Sequence, residues 1–137
     1  MIIDAHQHVY WYGYDSKKLV EYMDGMGVDK CWLLSWESLD AAREHRYTHL
    51  SIDDVFRTYE EFSERIIPFA GVDPRREYAQ QTLREWVKRG ARGYGELKIR
   101  AIFDNPDSIR MFKLCGELGL PVLFHIQFPS EPDGAWH

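Results

Sequence analysis

Two histidines near the start of the chain, His6 and His8, have types and a spacing that suit metal binding. They follow the apolar residues Ile2 and Ile3, which predict a short β-strand. Because side chains alternate across a strand, Asp4, His6 and His8 are expected on one face. Two neutral imidazoles at a strand end can bind one zinc or similar ion. The alternative is a hydrogen-bonded histidine pair without metal, because a His-x-His pair by itself is a weak signal.

A third histidine, His125, closes the apolar run Val122–Phe124 and so also lies at the end of a predicted strand. Taken alone, it would be interpreted as a hydrogen-bonded core histidine. In barrel enzymes, however, the chemistry is located where parallel strands end. Catalytic zinc commonly has three protein ligands and an open position for water. We therefore predict that His6, His8 and His125 lie close enough to share one ion.

The predicted strand Gly93–Ile99 carries two charged residues, Glu96 and Lys98, on the same face as Tyr94. Burying a charge is costly unless it is paired or bound to an ion. Glu96 is therefore predicted to bind the metal or to hold a ligand histidine, and to face the barrel interior while Leu97 faces the helices. Lys98 is a candidate catalytic residue that could bind an anionic substrate. A salt bridge at the barrel rim is the alternative for both.

Short apolar runs alternate with helical patterns along the whole chain, which predicts parallel strands joined by right-handed crossovers. Helix limits are indicated by a cap at Ser16, by Pro106 and by glycines. The absence of a glycine-rich loop after the first strand disfavours a dinucleotide-binding open sheet. The predicted strands are Ile2–Ala5, Cys31–Leu34, Ile66–Val72, Gly93–Ile99 and Pro121–Ile126.

A closed (β/α)₈ barrel of the TIM type usually needs about 250 residues and eight strands. With 137 residues and five predicted strands, the chain is expected to form about the first five strands of such an α/β barrel. Residues 1–137 would then be the N-terminal part of a single domain, either truncated or continued by further polypeptide.

Composition excludes several classes of function. The net charge of −5 argues against a nucleic-acid partner. Cys31 and Cys115 lie among apolar neighbours and are predicted to be buried thiols. The first residues lack the features of a signal peptide, and no apolar run approaches membrane-spanning length. A cytoplasmic location without a membrane partner is the default expectation.

Two loops add candidates for substrate binding. Tyr10, Trp11, Tyr12 and Tyr14 could line an aromatic substrate site or could simply pack against the next loop. The connection from Trp36 to Leu50 is long for a β/α unit. It contains His45 and His49, which could form a second metal pair but are more simply solvated. Substrate carboxylates could contact the arginines of this region and of the fourth strand end, namely Arg43, Arg46 and Arg100.

Three segments together resemble the amidohydrolase-related family of metal-dependent hydrolases. They are Ile3-Asp4-Ala5-His6-Gln7-His8, Gly95-Glu96-Leu97-Lys98 and Gly119-Leu120-Pro121-Val122-Leu123-Phe124-His125. The resemblance implies a (β/α)₈ barrel with a divalent metal, often zinc.

By match, the resemblance gives His6 and His8 as first-strand ligands and His125 as the fifth-strand ligand. Glu96 or a modified Lys98 would supply a bridging ligand. The family also uses a histidine on the sixth strand and an aspartate on the eighth, for which this chain has no counterpart, so we expect the isolated chain to be catalytically incomplete.

The leading functional hypothesis is hydrolysis of a small ester, lactone or amide by metal-activated water, with Zn²⁺ as the expected ion. Non-oxidative decarboxylation of an aromatic or unsaturated acid is an alternative that the resemblance also implies. A third hypothesis is a non-catalytic half-barrel that binds metal or a partner chain. Unpaired strand edges on a half-barrel would allow a homo-oligomer.

Overall fold

The computed structural model describes residues 1–39 and 49–126. None of the helices within these ranges is long and apolar enough to cross a lipid bilayer. The elements in chain order are β1 (Ile3–Gln7), α1 (Ser16–Met26), β2 (Lys30–Leu33), α2 (Ile52–Glu61), β3 (Ile66–Ala70), α3 (Ala79–Arg89), β4 (Gly93–Leu97), α4 (Pro106–Leu118) and β5 (Val122–Phe124).

The five strands form one sheet in chain order, and every neighbouring pair is parallel. The sheet curls into a half-barrel with a helix between each pair of consecutive strands. This confirms the predicted fold class, a partial (β/α) barrel of the TIM type. The last three strands are shorter than predicted, and the segments after Ala70 and Leu97 turn into loops, whereas β1 extends to Gln7, two residues beyond the predicted end.

One hydrophobic core joins the sheet to all four helices. Burying one large apolar side chain contributes roughly 1.5–3 kcal/mol, so this interface dominates the stability of the fold. Its largest fully buried helical members are Leu19, Met23, Val55, Phe56, Leu83, Met111 and Leu114.

The two cysteines are part of this core and are free thiols, as predicted. Burial raises the pKa of both Cys31 and Cys115 to about 12. Thiols with such a high pKa stay protonated and unreactive at neutral pH. Both residues therefore contribute to packing.

The first helix begins one residue earlier than the sequence indicates. Its N-cap is Asp15, whose carboxylate accepts a hydrogen bond from the Lys18 backbone N–H at 2.9 Å. Aspartate and serine cap helices about equally well, so propensity does not distinguish them. Tertiary structure does, because the buried Ser16 hydroxyl lies 2.8 Å from the Thr58 hydroxyl of α2.

The connection between β2 and α2 contains residues 40–48, which lie outside the described part of the chain. Its ends are joined by an antiparallel bridge between Trp36 and Leu50, with both backbone hydrogen bonds at 3.2 Å. Nδ1 of His49 accepts a hydrogen bond from the Ser38 backbone at 3.3 Å. The other candidates of this loop fall outside the described residues, namely Arg43, His45 and Arg46.

Each of the two strands that carry candidate ligands contains one residue more than its neighbour. In β1, Asp4 and Gln7 pair with Cys31 and Leu33 of β2, so two residues of β1 lie opposite one of β2. The Asp4 carboxylate accepts hydrogen bonds from the His6 backbone and from the Gln7 side chain. This β-bulge changes the phase of alternation, so Asp4 pairs with Gln7 instead of joining the two imidazoles as predicted.

A second bulge lies in β4, where Tyr94 and Leu97 pair with Val122 and Phe124 of β5. Tyr94 and Leu97 both belong to the hydrophobic core, whereas Glu96 contacts the histidines. The prediction that Tyr94 and Glu96 share one face was therefore wrong. It assumed unbroken alternation, and the bulge reverses the phase between these two residues.

We predict that Gly95→Ala destabilises the fold, because Gly95 has φ +135° and a Cβ there would lie 2.5 Å from the Leu123 carbonyl oxygen. A non-glycine residue in such a conformation costs roughly 1–3 kcal/mol before the clash is counted. Gly116→Ala is the matched control, since nothing lies within 4 Å of its added Cβ on α4. It should stabilise the helix by about 0.5–1 kcal/mol. Urea denaturation measures the change in the free energy of unfolding for each variant. Equal changes in the two variants would contradict the bulge geometry.

Candidate metal centre

His8 is held by its Nδ1 atom, which lies 3.0 Å from the carbonyl oxygen of Leu34 at the end of β2. A carbonyl oxygen only accepts hydrogen bonds, so Nδ1 must carry the proton. In the neutral imidazole, Nε2 is then a bare electron-pair donor. This is the tautomer that a metal-binding histidine needs, and a backbone carbonyl is a common partner for the other ring nitrogen.

Three donor atoms, from β1, from the residue that follows it and from β4, lie around one point. Nε2 of His6 is 3.2 Å from Nε2 of His8, and Oε2 of Glu96 is 3.7 Å and 3.4 Å from these two nitrogens. All three atoms lie within 4.8 Å of one another. His6, His8 and Glu96 are called the ligand group below.

The spacing of the ligand group fits a divalent ion. Zinc binds histidine nitrogen and carboxylate oxygen at about 2.1 Å, and two corners of a tetrahedron of that radius are about 3.4 Å apart. The three measured separations, 3.2, 3.4 and 3.7 Å, bracket that value. Electron-pair donors this close to one another repel unless a proton or a cation lies between them. The residues therefore suit a metal ion with three protein ligands.

Glu96 is the buried member of the group, with only 2% of its side chain exposed. Burial by itself would raise its pKa, but the hydrogen bond with His125 and the nearby imidazoles of His6 and His8 outweigh burial and hold the pKa well below its usual range. The carboxylate is therefore ionised at neutral pH. Its backbone N–H donates a 2.6 Å hydrogen bond to the Ser35 carbonyl oxygen, which fixes the main chain at the β4 bulge.

His125 contacts the other oxygen of the same carboxylate. Its Nδ1 lies 2.5 Å from Oε1 of Glu96, and it follows β5 directly. It does not belong to the ligand group defined by the 4.8 Å separations within the described residues. The structure therefore brings His6, His8 and Glu96 together and places His125 against Glu96, which differs from the predicted convergence of three imidazoles. The sequence predicts the correct edge of the sheet for His125, but it does not predict that the ring contacts Glu96.

Lys98 lies just after β4, beside the site. Its Nζ is 4.4 Å from the centre of the Trp36 ring, a cation–π distance. The Trp36 ring in turn packs edge-on against His8 at 4.9 Å and against Trp11 at 5.3 Å. Within residues 1–39 and 49–126, Lys98 thus has an aromatic partner and no salt bridge.

The predicted site contains neither Trp36 nor Leu34. Trp36 could have been predicted, because it follows an apolar strand at the same sheet edge as the histidines. Leu34 could not, since it acts through its carbonyl oxygen. The role of a backbone carbonyl cannot be predicted from the residue type.

The aromatic loop after β1 packs against neighbouring aromatic residues and also borders a cavity. Trp11 packs against Trp36 and Tyr12, and Tyr14 packs against Tyr22. The same loop lines a cavity of about 250 Å³. The cavity walls are formed by Gln7, His8, Trp11, Tyr12, Tyr14 and Tyr22.

No protein-family model matches the chain, and no curated protein matches its sequence. Among solved structures it is similar to a probable 2-pyrone-4,6-dicarboxylic acid hydrolase from Acinetobacter baumannii, crystallised with citric acid bound. The TM-score is 0.61 at 15% sequence identity, and the match covers 91% of this chain and 49% of that chain. The chain therefore has the fold of about half of that hydrolase.

We predict that the zinc affinity of the chain falls as the pH is lowered, because histidines bind metal as neutral imidazoles. The Glu96 carboxylate raises the pKa of His6 above its ordinary 6.5. As the pH is lowered, protons should therefore begin to compete with zinc at His6 while the pH is still above 6.5. The folding stability of the metal-free chain should depend on pH in the opposite sense. The stabilising His6–Glu96 interaction is fully present below pH 6.5 and is lost as the pH rises through the raised pKa of His6.

Chelator-competition titrations between about pH 5.5 and 8.5 measure the affinity across the histidine range. Glu96→Gln removes the charge that raises the pKa of His6. At high pH the variant should bind zinc more weakly than the wild type. As the pH is lowered, the zinc affinity of the variant should begin to fall at a lower pH than that of the wild type. An affinity that does not change over this range would contradict the assignment of the histidines.

Proposed function

We propose that the chain supplies the metal-binding half of a metal-dependent hydrolase that acts on a small ester, lactone or amide. The observation that carries the proposal is the ligand group, whose three donor atoms have the separations of a tetrahedral zinc site. When bound, a divalent ion polarises a carbonyl oxygen and lowers the pKa of water towards neutrality. His6, His8 and Glu96 would hold that ion, with Zn²⁺ as the expected metal.

His125 is proposed as the residue that takes a proton from the attacking water. Glu96 is ionised and accepts the hydrogen bond from Nδ1 of His125, so Nε2 is the nitrogen that can accept a proton. A carboxylate that orients an imidazole in this way also stabilises the imidazolium that forms. Glu96 would thus serve both as a ligand and as the group that fixes the orientation of His125.

Lys98 is proposed to bind a negative charge on the substrate. An ion, Lys98 and Glu96 together leave the site with a net positive charge, which attracts anions. Trp36 lies beneath the Lys98 ammonium group and beside His8, so it would pack against the apolar part of the same substrate. The similar fold of a hydrolase named for a dicarboxylic acid supports a carboxylate-bearing substrate, at the level of the fold.

A metal-binding role without catalysis is the second candidate. The observation that favours it is the exposure of His6, whose side chain is 49% accessible to solvent on the open side of the half-barrel. An active site that closes over its substrate expels bulk water. In the proposed enzyme, the remaining part of the barrel would cover His6 and would contribute further ligands.

We predict that Glu96→Gln lowers zinc affinity and hydrolysis together, each by about tenfold or more, because the amide is a weaker ligand and no longer orients His125. The assay uses the zinc-loaded 137-residue chain with a panel of lactones and activated esters, half of which carry a carboxylate. Glu117→Gln on the exposed face of α4 is the matched control and should change neither quantity. Hydrolysis by the zinc-loaded chain would support the enzymatic role over the non-catalytic one, whereas zinc binding without hydrolysis is expected of both, because the remaining part of the barrel would contribute further ligands. Unchanged zinc binding in Glu96→Gln would remove Glu96 from the site.

We also predict that the isolated chain associates with itself. Among the described elements β1 pairs only with β2 and β5 only with β4, so each outer strand presents an unpaired edge. Apolar side chains at these edges are exposed, including Ile3 at 40% and Phe124 at 38%. Such edges promote association between chains. Multi-angle light scattering tests this, and a monodisperse monomer with full hydrolase activity would contradict it.

A further inference from the structure

The segment Leu34–Trp36, which directly follows β2, contacts both strands of the ligand group. The Leu34 carbonyl accepts the Nδ1 proton of His8 at 3.0 Å, and the Ser35 carbonyl accepts the backbone N–H of Glu96 at 2.6 Å. We infer that this segment positions the metal centre, and that Ser35 is the residue that anchors it. This inference rests on the proposed metal centre, since His8 and Glu96 are its ligands.

Ser35 is completely buried, and its hydroxyl group ties the segment to the end of β3. The hydroxyl donates to the Phe69 carbonyl oxygen at 3.3 Å and accepts from the Gly71 backbone N–H at 2.8 Å. Both partners are main-chain groups at the carboxyl end of the neighbouring strand. A buried hydroxyl with both its donor and its acceptor function satisfied holds the main chain in one position.

Gly71 is required for this close approach. A Cβ at position 71 would lie 2.1 Å from the Ser35 carbonyl oxygen and 2.7 Å from the carbonyl carbon, both of them backbone atoms. No side chain could move to relieve that contact. The pair Ser35 and Gly71 therefore lets the segment lie over the end of β3 and reach Glu96 on β4, one strand further on.

Each contact of the segment controls a different property of a ligand. The Leu34 carbonyl selects the tautomer of His8 in which Nε2 is free to bind metal. The Ser35 carbonyl fixes the main chain of Glu96 within the β4 bulge and so sets the direction of its side chain. The Trp36 ring packs at 89° to His8, with 4.9 Å between ring centres, and limits rotation of that imidazole. Ser35 is a positioning residue, because it touches neither the ion nor a substrate.

The direct test is Ser35→Ala, with Ser108→Ala as the matched control. Ser108 is an equally buried serine whose hydroxyl accepts a hydrogen bond from Asn105 in the first turn of α4. Ser35→Ala should weaken zinc binding by about tenfold to a hundredfold, the usual effect of losing a group that orients a ligand. Bound Co²⁺ should also show visible absorption bands of altered position and intensity. Ser108→Ala should lose stability but keep the wild-type affinity and spectrum.

Gly71→Ala should reproduce the Ser35→Ala spectrum if the variant folds, because it displaces the same carbonyl group. If it does not fold, Ser35→Ala alone decides the question. Wild-type zinc affinity and an unchanged cobalt spectrum in Ser35→Ala would overturn the inference. An equal loss of affinity in Ser108→Ala would also overturn it, since the effect would then reflect stability in general.

A readout that needs no metal separates this inference from the proposed function. In the ¹⁵N–¹H spectrum of the metal-free chain, His8 should be in the Nδ1–H tautomer in the wild type and in a mixture of tautomers in Ser35→Ala. If the wild type binds no zinc but shows this difference, the proposed function fails and the positioning role of Ser35 stands. If the wild type binds zinc and Ser35→Ala keeps the wild-type tautomer, the positioning role fails alone.

Discussion

The structure around the site depends on one electrostatic constraint, the burial of an ionised carboxylate among electron-pair donors. Glu96 is almost completely buried and its pKa is held below the usual range by three histidines. A buried charge is tolerated only when it is compensated. In the metal-free chain His6, with its raised pKa, can supply the compensating proton. A divalent ion would provide the same compensation with a stronger charge, which is why the geometry suits both states.

Two β-bulges make this arrangement of side chains attainable. A regular strand directs alternate side chains to opposite faces, so Glu96 would share a face with Tyr94. The extra residue in β4 places Tyr94 and Leu97 in the core and leaves Glu96 towards the histidines. The bulge in β1 similarly separates Asp4 from the two imidazoles. Bulges next to active sites commonly redirect a side chain in this way.

The half-barrel itself explains why the site is open on one side. Among the described strands, each inner strand is paired on both edges, whereas β1 and β5 are paired on one. His6 lies on the outermost strand and is half exposed, while Glu96 on the inner strand β4 is buried. The chain spans about half the length of the hydrolase whose fold it shares. A closed barrel would bury the face that His6 now exposes to solvent.

The sequence by itself determined the order of strands and helices, their parallel pairing, the buried cysteines and the sheet edge where polar residues gather. These follow from hydrophobic periodicity and from the handedness of β/α connections, which are local properties. Only the tertiary structure decided that His125 contacts Glu96, that Asp15 caps α1, and that Leu34–Trp36 reaches both ligand strands. These depend on an inserted residue in a strand, on a contact between the Ser16 and Thr58 hydroxyls, or on a backbone carbonyl, and none of them changes the pattern of residue types. The physical reason is that side-chain direction is set by main-chain geometry across strands, which a one-dimensional pattern does not contain.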